Sequence, residues 1–169
     1  MKWYTQFDGP CLRPGMVVKA SFRLTDVETG LLLDEADDET PLVWLFGRGQ
    51  LLPAVERVLE GRRPTEVVDV VVPPEEAFGE RVDQALQTID RGAFGEDPPP
   101  EVGMSVFADF GDGPQPHRIV RVTEEGVVLD TNHPLAGKHL RFHLRIHAFR
   151  DATAREQETL IARDGDLSA

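Results

Sequence analysis

Hydrophobic and polar positions alternate along MVVKASFRL, with Val18, Ala20, Phe22 and Leu24 facing one way and Val17, Lys19, Ser21 and Arg23 the other. A period of two sends successive side chains to opposite faces of an extended chain, so this stretch predicts a half-buried strand. DVETG turns the chain, and Leu31 to Leu33 begin a partner strand ahead of the acidic loop DEADDET. In PLVWLFGRGQLLPAVERVLEGRRP the spacing becomes helical: Leu51, Leu52, Val55, Val58 and Leu59 recur, with Pro53 near the start and Gly61 at the stop. This predicts one short helix with an apolar face. EVVDVVV then reads as a strand buried on one face and partly covered on the other, ended by Pro73 and Pro74.

From Arg81 the pattern breaks into short strand candidates, Met104 to Phe110, His117 to Val122 and Val127 to Asp130, punctuated by PPP, GDG and EEG. These predict a separate small β unit. The chain then bends through NHPLAGK, where Pro134 lacks a backbone donor and Gly137 permits positive φ. Beyond the bend, Leu140, Phe142, Leu144, Ile146 and Ala148 alternate with His139, Arg141, His143, Arg145 and His147, a last half-buried strand. Pairing it with the early strands makes the middle unit an insertion and the bend a return crossing between two domains.

Composition narrows the functional classes. The 169 residues, 40% of them hydrophobic, suit one domain or two small ones. Eighteen Lys+Arg against thirty Asp+Glu give a formal charge of −12, which repels phosphate backbones and anionic membranes. Neither nucleic acid nor a membrane is an expected partner. MKWYTQFDGP contains no apolar run of signal-peptide length, and no uncharged stretch is long enough to span a bilayer, so a cytoplasmic location is expected. Cys11 is the single cysteine, which precludes an internal disulfide or a thiolate zinc site. The acidic loop lacks the glycine and distal glutamate of an EF-hand. His139, His143 and His147 share a strand face, but steps of four residues set them roughly 13 Å apart, too far to hold one ion. No metal or cofactor is expected. In the polar tail 151–169, Thr153 and Glu156 predict a capping box opening a short helix.

The ordered pieces LLLDE, PLVWLFGRGQLLPAVERVLEG, PPEEAFGE, VGM and NHPLAGKHLRF resemble the SlyD-like FKBP-type peptidyl-prolyl isomerases, which are also folding chaperones. The resemblance runs from Met16 to Arg150 and implies an α+β fold. Residues 1–80 and 132–150 would form an antiparallel half-barrel around the short helix, and 81–131 a small β-rich insert-in-flap chaperone domain. The family's prolyl pocket maps onto Phe22, Asp34, Leu42, Trp44, Leu51, Leu52, Val55, Phe78 and Phe142, all apolar except Asp34. Each aromatic here is equally compatible with plain core packing.

The insert, at about fifty residues, is too small to cover all of Phe94, Met104, Phe107, Phe110 and Ile119, which predicts an exposed client-binding surface. His133, in the joint beside the implied cleft, is a further candidate peptide contact. The chain departs from the family in several places. Its tail has no His or Cys for the family's metal site, Ala54 replaces a usual glycine, and Val55 stands where many FKBP-type domains have a large pocket-floor side chain. Phe22 and Phe78 occupy positions where tyrosine is common, and the second tyrosine is the usual donor to a substrate carbonyl. The expectation is a monomeric isomerase of modest activity and a chaperone for unfolded or proline-containing polypeptides. The alternative is a holdase whose isomerase site has weakened or been lost.

Overall fold

In chain order the elements are β1 (Met16–Asp26), β2 (Leu32–Ala36), β3 (Leu42–Leu45), α1 (Pro53–Leu59), β4 (Val67–Val72), β5 (Leu86–Asp90), β6 (Ser105–Asp109), β7 (Pro114–Val122), β8 (Gly126–Asp130), β9 (Leu140–Asp151) and α2 (Ala154–Thr159). The computed structural model describes residues 2–6, 9–95, 98–111 and 113–162. Two units emerge, Met1–Gly79 with Gly137–Ala169, and Glu80–Ala136. No helix among the described residues is long and apolar enough to cross a membrane.

The first unit is a five-stranded, wholly antiparallel sheet ordered β2-β1-β9-β4. One edge of β1 is shared: β3 pairs with its first half, Val17 to Ala20, and β2 with its second half, Phe22 to Thr25. The other edge pairs along its whole length with β9, whose far side takes β4. Directly opposed residues on neighbouring strands point to the same face. The register therefore collects Val18, Ala20, Phe22 and Leu24 with Trp44, Leu42, Asp34, Phe142, Leu144, Ile146, Val68, Val70 and Val72. α1 lies against β4 and buries Ala54, Val55 and Leu59. Pro53 begins it, and Gly61 at φ 79° lets the chain leave at the other end.

The opposite face carries Ser21, Arg23, Asp69, Arg141, His143, Arg145 and His147. There Val67 and Val71 are half exposed, in keeping with a strand buried on one face and partly covered on the other. β3 lies ahead of the helical spacing, in residues to which the sequence reading assigned no element. Leu42 to Leu45 form a strand because β1 offers an unpaired edge there, and tertiary pairing overrides the local pattern.

The second unit is a four-stranded antiparallel sheet ordered β5-β8-β7-β6. Its core is Ile119, Val127 and Leu129, with Ile89, Phe94, Val106, Ala108 and Val122 packed around them. This corrects the placement of Ile119 on an exposed patch: it lies on β7, an interior strand, and is fully buried. Gly126 is required where β8 begins beside Asp90 of β5, since a Cβ there would lie 2.7 Å from the Ile89 carbonyl oxygen. A polar clasp closes the unit. Asp130 pairs with Arg81 and accepts from Asn132, whose amide in turn bonds both backbone groups of Val82.

Candidate functional site

Five of the nine predicted pocket residues share one sheet face. Leu24 stands opposite both Asp34 and Phe142, Phe22 lies two positions along β1, and Leu42 and Trp44 follow on β3 opposite Ala20 and Val18. Trp44, Phe142 and Val55 of α1 are buried, whereas Phe22, Leu42, Leu51, Leu52 and Phe78 are half-buried. The apolar face thus carries both buried and half-buried side chains. The indole Nε1 of Trp44 is buried and has no hydrogen-bond partner among the described residues. Asp34 is exposed on β2, and its carboxylate accepts from the Glu35 N–H at 2.9 Å.

Of the remaining four, Val55 sits on α1 and the other three hang on two short connections. Leu51 and Leu52 end a loop that contains Gly47 and Gly49 at φ 78° and 74°, values that favour glycine. The Gln50 side chain accepts from the Leu45 N–H at 2.8 Å, and Glu56 accepts from the Gly47 N–H at 3.2 Å. Phe78 follows a 3-10 turn at Pro74–Glu76, and Arg57 on α1 holds that turn through Glu76 at 3.1 Å. Gly137 donates to the Gly79 carbonyl at 2.8 Å, so the two chain crossings that flank the second unit are adjacent.

Charge is kept off the apolar face except at its edge. Asp26, 1% exposed at the end of β1, is paired with Lys138 and accepts from the Glu28 and Thr29 N–H groups. Lys138 above all holds this carboxyl at about 2. The lysine of NHPLAGK is thus a counter-ion, a role the sequence did not reveal. On the opposite face Arg141 holds Asp69 at about 2 through two hydrogen bonds, with His143 as a further partner.

That opposite face holds the histidine stripe and a cavity of about 430 Å³ lined largely by charged groups, including Arg23, Asp37, Asp38, His143 and Arg145. Each histidine of the stripe meets a carboxylate: His139 meets Glu28 at 2.9 Å, His143 meets Asp69 at 3.3 Å and His147 meets Asp38 at 3.1 Å. His147 also contacts the Ser21 hydroxyl at 2.9 Å. Both contacts use Nε2, whereas a Ser-His-Asp relay needs one partner on each ring nitrogen, so this is a tether for the acidic loop and not a nucleophile. Among the described residues no three His, Cys, Asp or Glu side chains are grouped to hold a metal ion.

In the second unit Phe107 is 77% exposed and Phe110 46%, with Met104 also exposed. Phe94 packs against the core, as Ile119 does from within it. Val102 and Val120 are exposed apolar neighbours that the sequence reading missed. His133 is exposed, its Nδ1 accepts from the Leu135 N–H at 3.1 Å, and desolvation holds its pKa below the ordinary histidine value.

The chain is similar to curated proteins named FKBP-type peptidyl-prolyl cis-trans isomerase SlyD. It is 37% identical over 141 residues to that of Yersinia pestis, covering 83% of this chain and 72% of the relative. The Treponema pallidum protein is 34% identical over 148 residues, 88% and 84% of the two chains. The Pasteurella multocida protein is 38% identical over 141 residues, 83% and 70%. No family model matches.

Proposed function

The chain belongs to the SlyD family of FKBP-type peptidyl-prolyl cis-trans isomerases and is itself such an isomerase, and we propose that prolyl peptides react on the apolar face of the five-stranded sheet. The observation that carries this reading is the register, which puts Phe22, Asp34, Leu42, Trp44 and Phe142 on one face around a buried floor. Rotation about a prolyl amide crosses a barrier of roughly 18–20 kcal/mol without breaking a bond. It needs no nucleophile. A dry wall of Trp44, Val55, Leu51, Leu52 and Phe142 favours the twisted, less dipolar amide over the planar one. Asp34, exposed at the edge, is placed to accept a peptide N–H and hold the substrate in a turn. Phe78 cannot donate to the substrate carbonyl, so activity is modest. The test is NMR exchange of cis and trans forms of a short prolyl peptide, which Phe142→Ala should slow sharply.

We read Glu80–Ala136 as the insert-in-flap domain and the chaperone part of the protein. Phe107, Phe110 and Met104 are exposed on or beside β6, an edge strand, and support capture of extended apolar segments by strand addition. The partners are then unfolded, proline-containing polypeptides in the cytoplasm, met by a monomer. The second reading, a holdase with a weakened isomerase site, is favoured by Val55 on the floor and by phenylalanine at positions 22 and 78. Exchange no faster than in buffer would establish it.

A further inference from the structure

Both terminal segments meet at the end of β9. Arg150, 1% exposed, donates to the two Glu156 carboxylate oxygens at 2.8 and 2.7 Å, and the Trp3 ring lies 4.9 Å from its guanidinium carbon. Tyr4 exchanges backbone hydrogen bonds with Phe149 at 2.7 and 3.2 Å. Glu156 also accepts from the Thr153 N–H at 2.9 Å while the Thr153 hydroxyl accepts from the Glu156 N–H, the capping box that starts α2. A buried ion pair joined by two parallel N–H···O bonds favours one geometry, which sets the direction of α2.

α2 ends at Thr159, and the capping residue Leu160 turns left-handed at φ 56°. The Leu160 carbonyl then accepts from Gln50 Nε2 at 2.6 Å, while Gln50 Oε1 accepts from the Leu45 N–H at 2.8 Å. One amide therefore spans from the end of β3 to the C-terminal segment. It does so in a loop whose glycines at 47 and 49 would otherwise leave it free to move. Only an amide fits both partners, because an ionised carboxylate accepts but cannot donate, and it would repel the Leu160 carbonyl.

We propose that Gln50 is a positioning residue of the isomerase: braced by α2, it holds the loop so that Leu51 and Leu52 stand as walls of the prolyl pocket. This rests on the pocket reading above. The loop without its brace still carries both leucines but samples other placements, so a prolyl ring finds its wall less often formed.

The test uses the full chain with Gln50→Glu, a chain ended after Thr159, and the two combined. Each single change should lower kcat/KM on a short prolyl peptide by roughly two- to tenfold, the range of one net hydrogen bond. The loss should appear in KM, and the combined variant should be no worse than Gln50→Glu alone. Amide hydrogen exchange at Leu45 should quicken in the shortened chain, which leaves Gln50 itself intact, while the melting temperature barely moves. Unchanged kcat/KM in Gln50→Glu, unchanged Leu45 exchange in the shortened chain, or additive losses would overturn the proposal. A wild-type protein inactive on the peptide, or one indifferent to Phe142→Ala, would instead remove the pocket reading and this proposal with it.

Discussion

The two units of this chain solve burial differently. The first seals Val17, Val18, Leu45, Val55, Leu59, Leu144, Ile146 and Phe149 almost completely, whereas the second has a fully buried core of Ile119, Val127 and Leu129 and leaves Phe107 in solvent. The cause is size. A smaller unit has more surface for each residue it can bury, so some large apolar side chains stay outside whatever the sequence. A sealed sheet suits a reaction that needs side chains held in fixed places. An under-covered one suits capture of chains that differ from one another, and it replaces missing core with the polar clasp of Arg81, Asp130 and Asn132.

The strongest way to break this contrast is to separate the units. Replacing Glu80–Ala136 by a short linker should leave a folded first unit, because Gly79 and Gly137 are already one hydrogen bond apart. It should isomerise a short peptide yet fail to suppress aggregation of a refolding client, read by light scattering. Full suppression would end the division of labour.

Within the second unit, Ile119→Ala should cost about 2–5 kcal/mol of that unit's stability in a denaturant titration. Phe107→Ala should cost less than about 0.5 kcal/mol and still weaken client capture. Equal costs would mean that Phe107 is not free to serve a client.

Acid should loosen the first unit through Asp26 and Asp69. Their folded pKa values, about 2, lie below the unfolded value near 3.9, so their contribution is present above about pH 4 and is lost as pH falls toward about 2. Unfolding followed by Trp44 fluorescence should show this loss, and Lys138→Gln should flatten the Asp26 part of it.

The smallest expected effect is at Phe78. Phe78→Tyr should raise kcat/KM by about two- to tenfold, the scale of one hydrogen bond made in the twisted state, with stability nearly unchanged. Lost stability without a kinetic gain would make Phe78 a core side chain.

How much could be read in advance depended on how local the cause was. β1, β9 and β4 declared themselves through alternation or valine content, and α1 and the α2 capping box through spacing over one or two turns. β3 was lost because LVWL has no alternation and takes its form from β1, and β5 because only Ile89 in LQTID turns inward. In the site, alternation alone placed Phe22 and Phe142 on inward faces, while Leu42, Trp44 and Phe78 came through family resemblance. Ile119 was misplaced because its strand pattern does not tell an interior strand from an edge. Gln50 and Lys138 were invisible, since their partners lie 110 and 112 residues away.

The position of β9 in the sheet also governs the order in which the protein can be made. Among the described strands β9 comes latest in the chain, yet it lies between β1 and β4. On the ribosome both strands must therefore wait with open edges while Glu80–Ala136, whose strands pair within their own unit, emerges and closes first. The five-stranded sheet is then closed by the insertion of one long strand between two waiting edges, and until that occurs Phe142 is absent from the apolar face proposed to receive prolyl peptides.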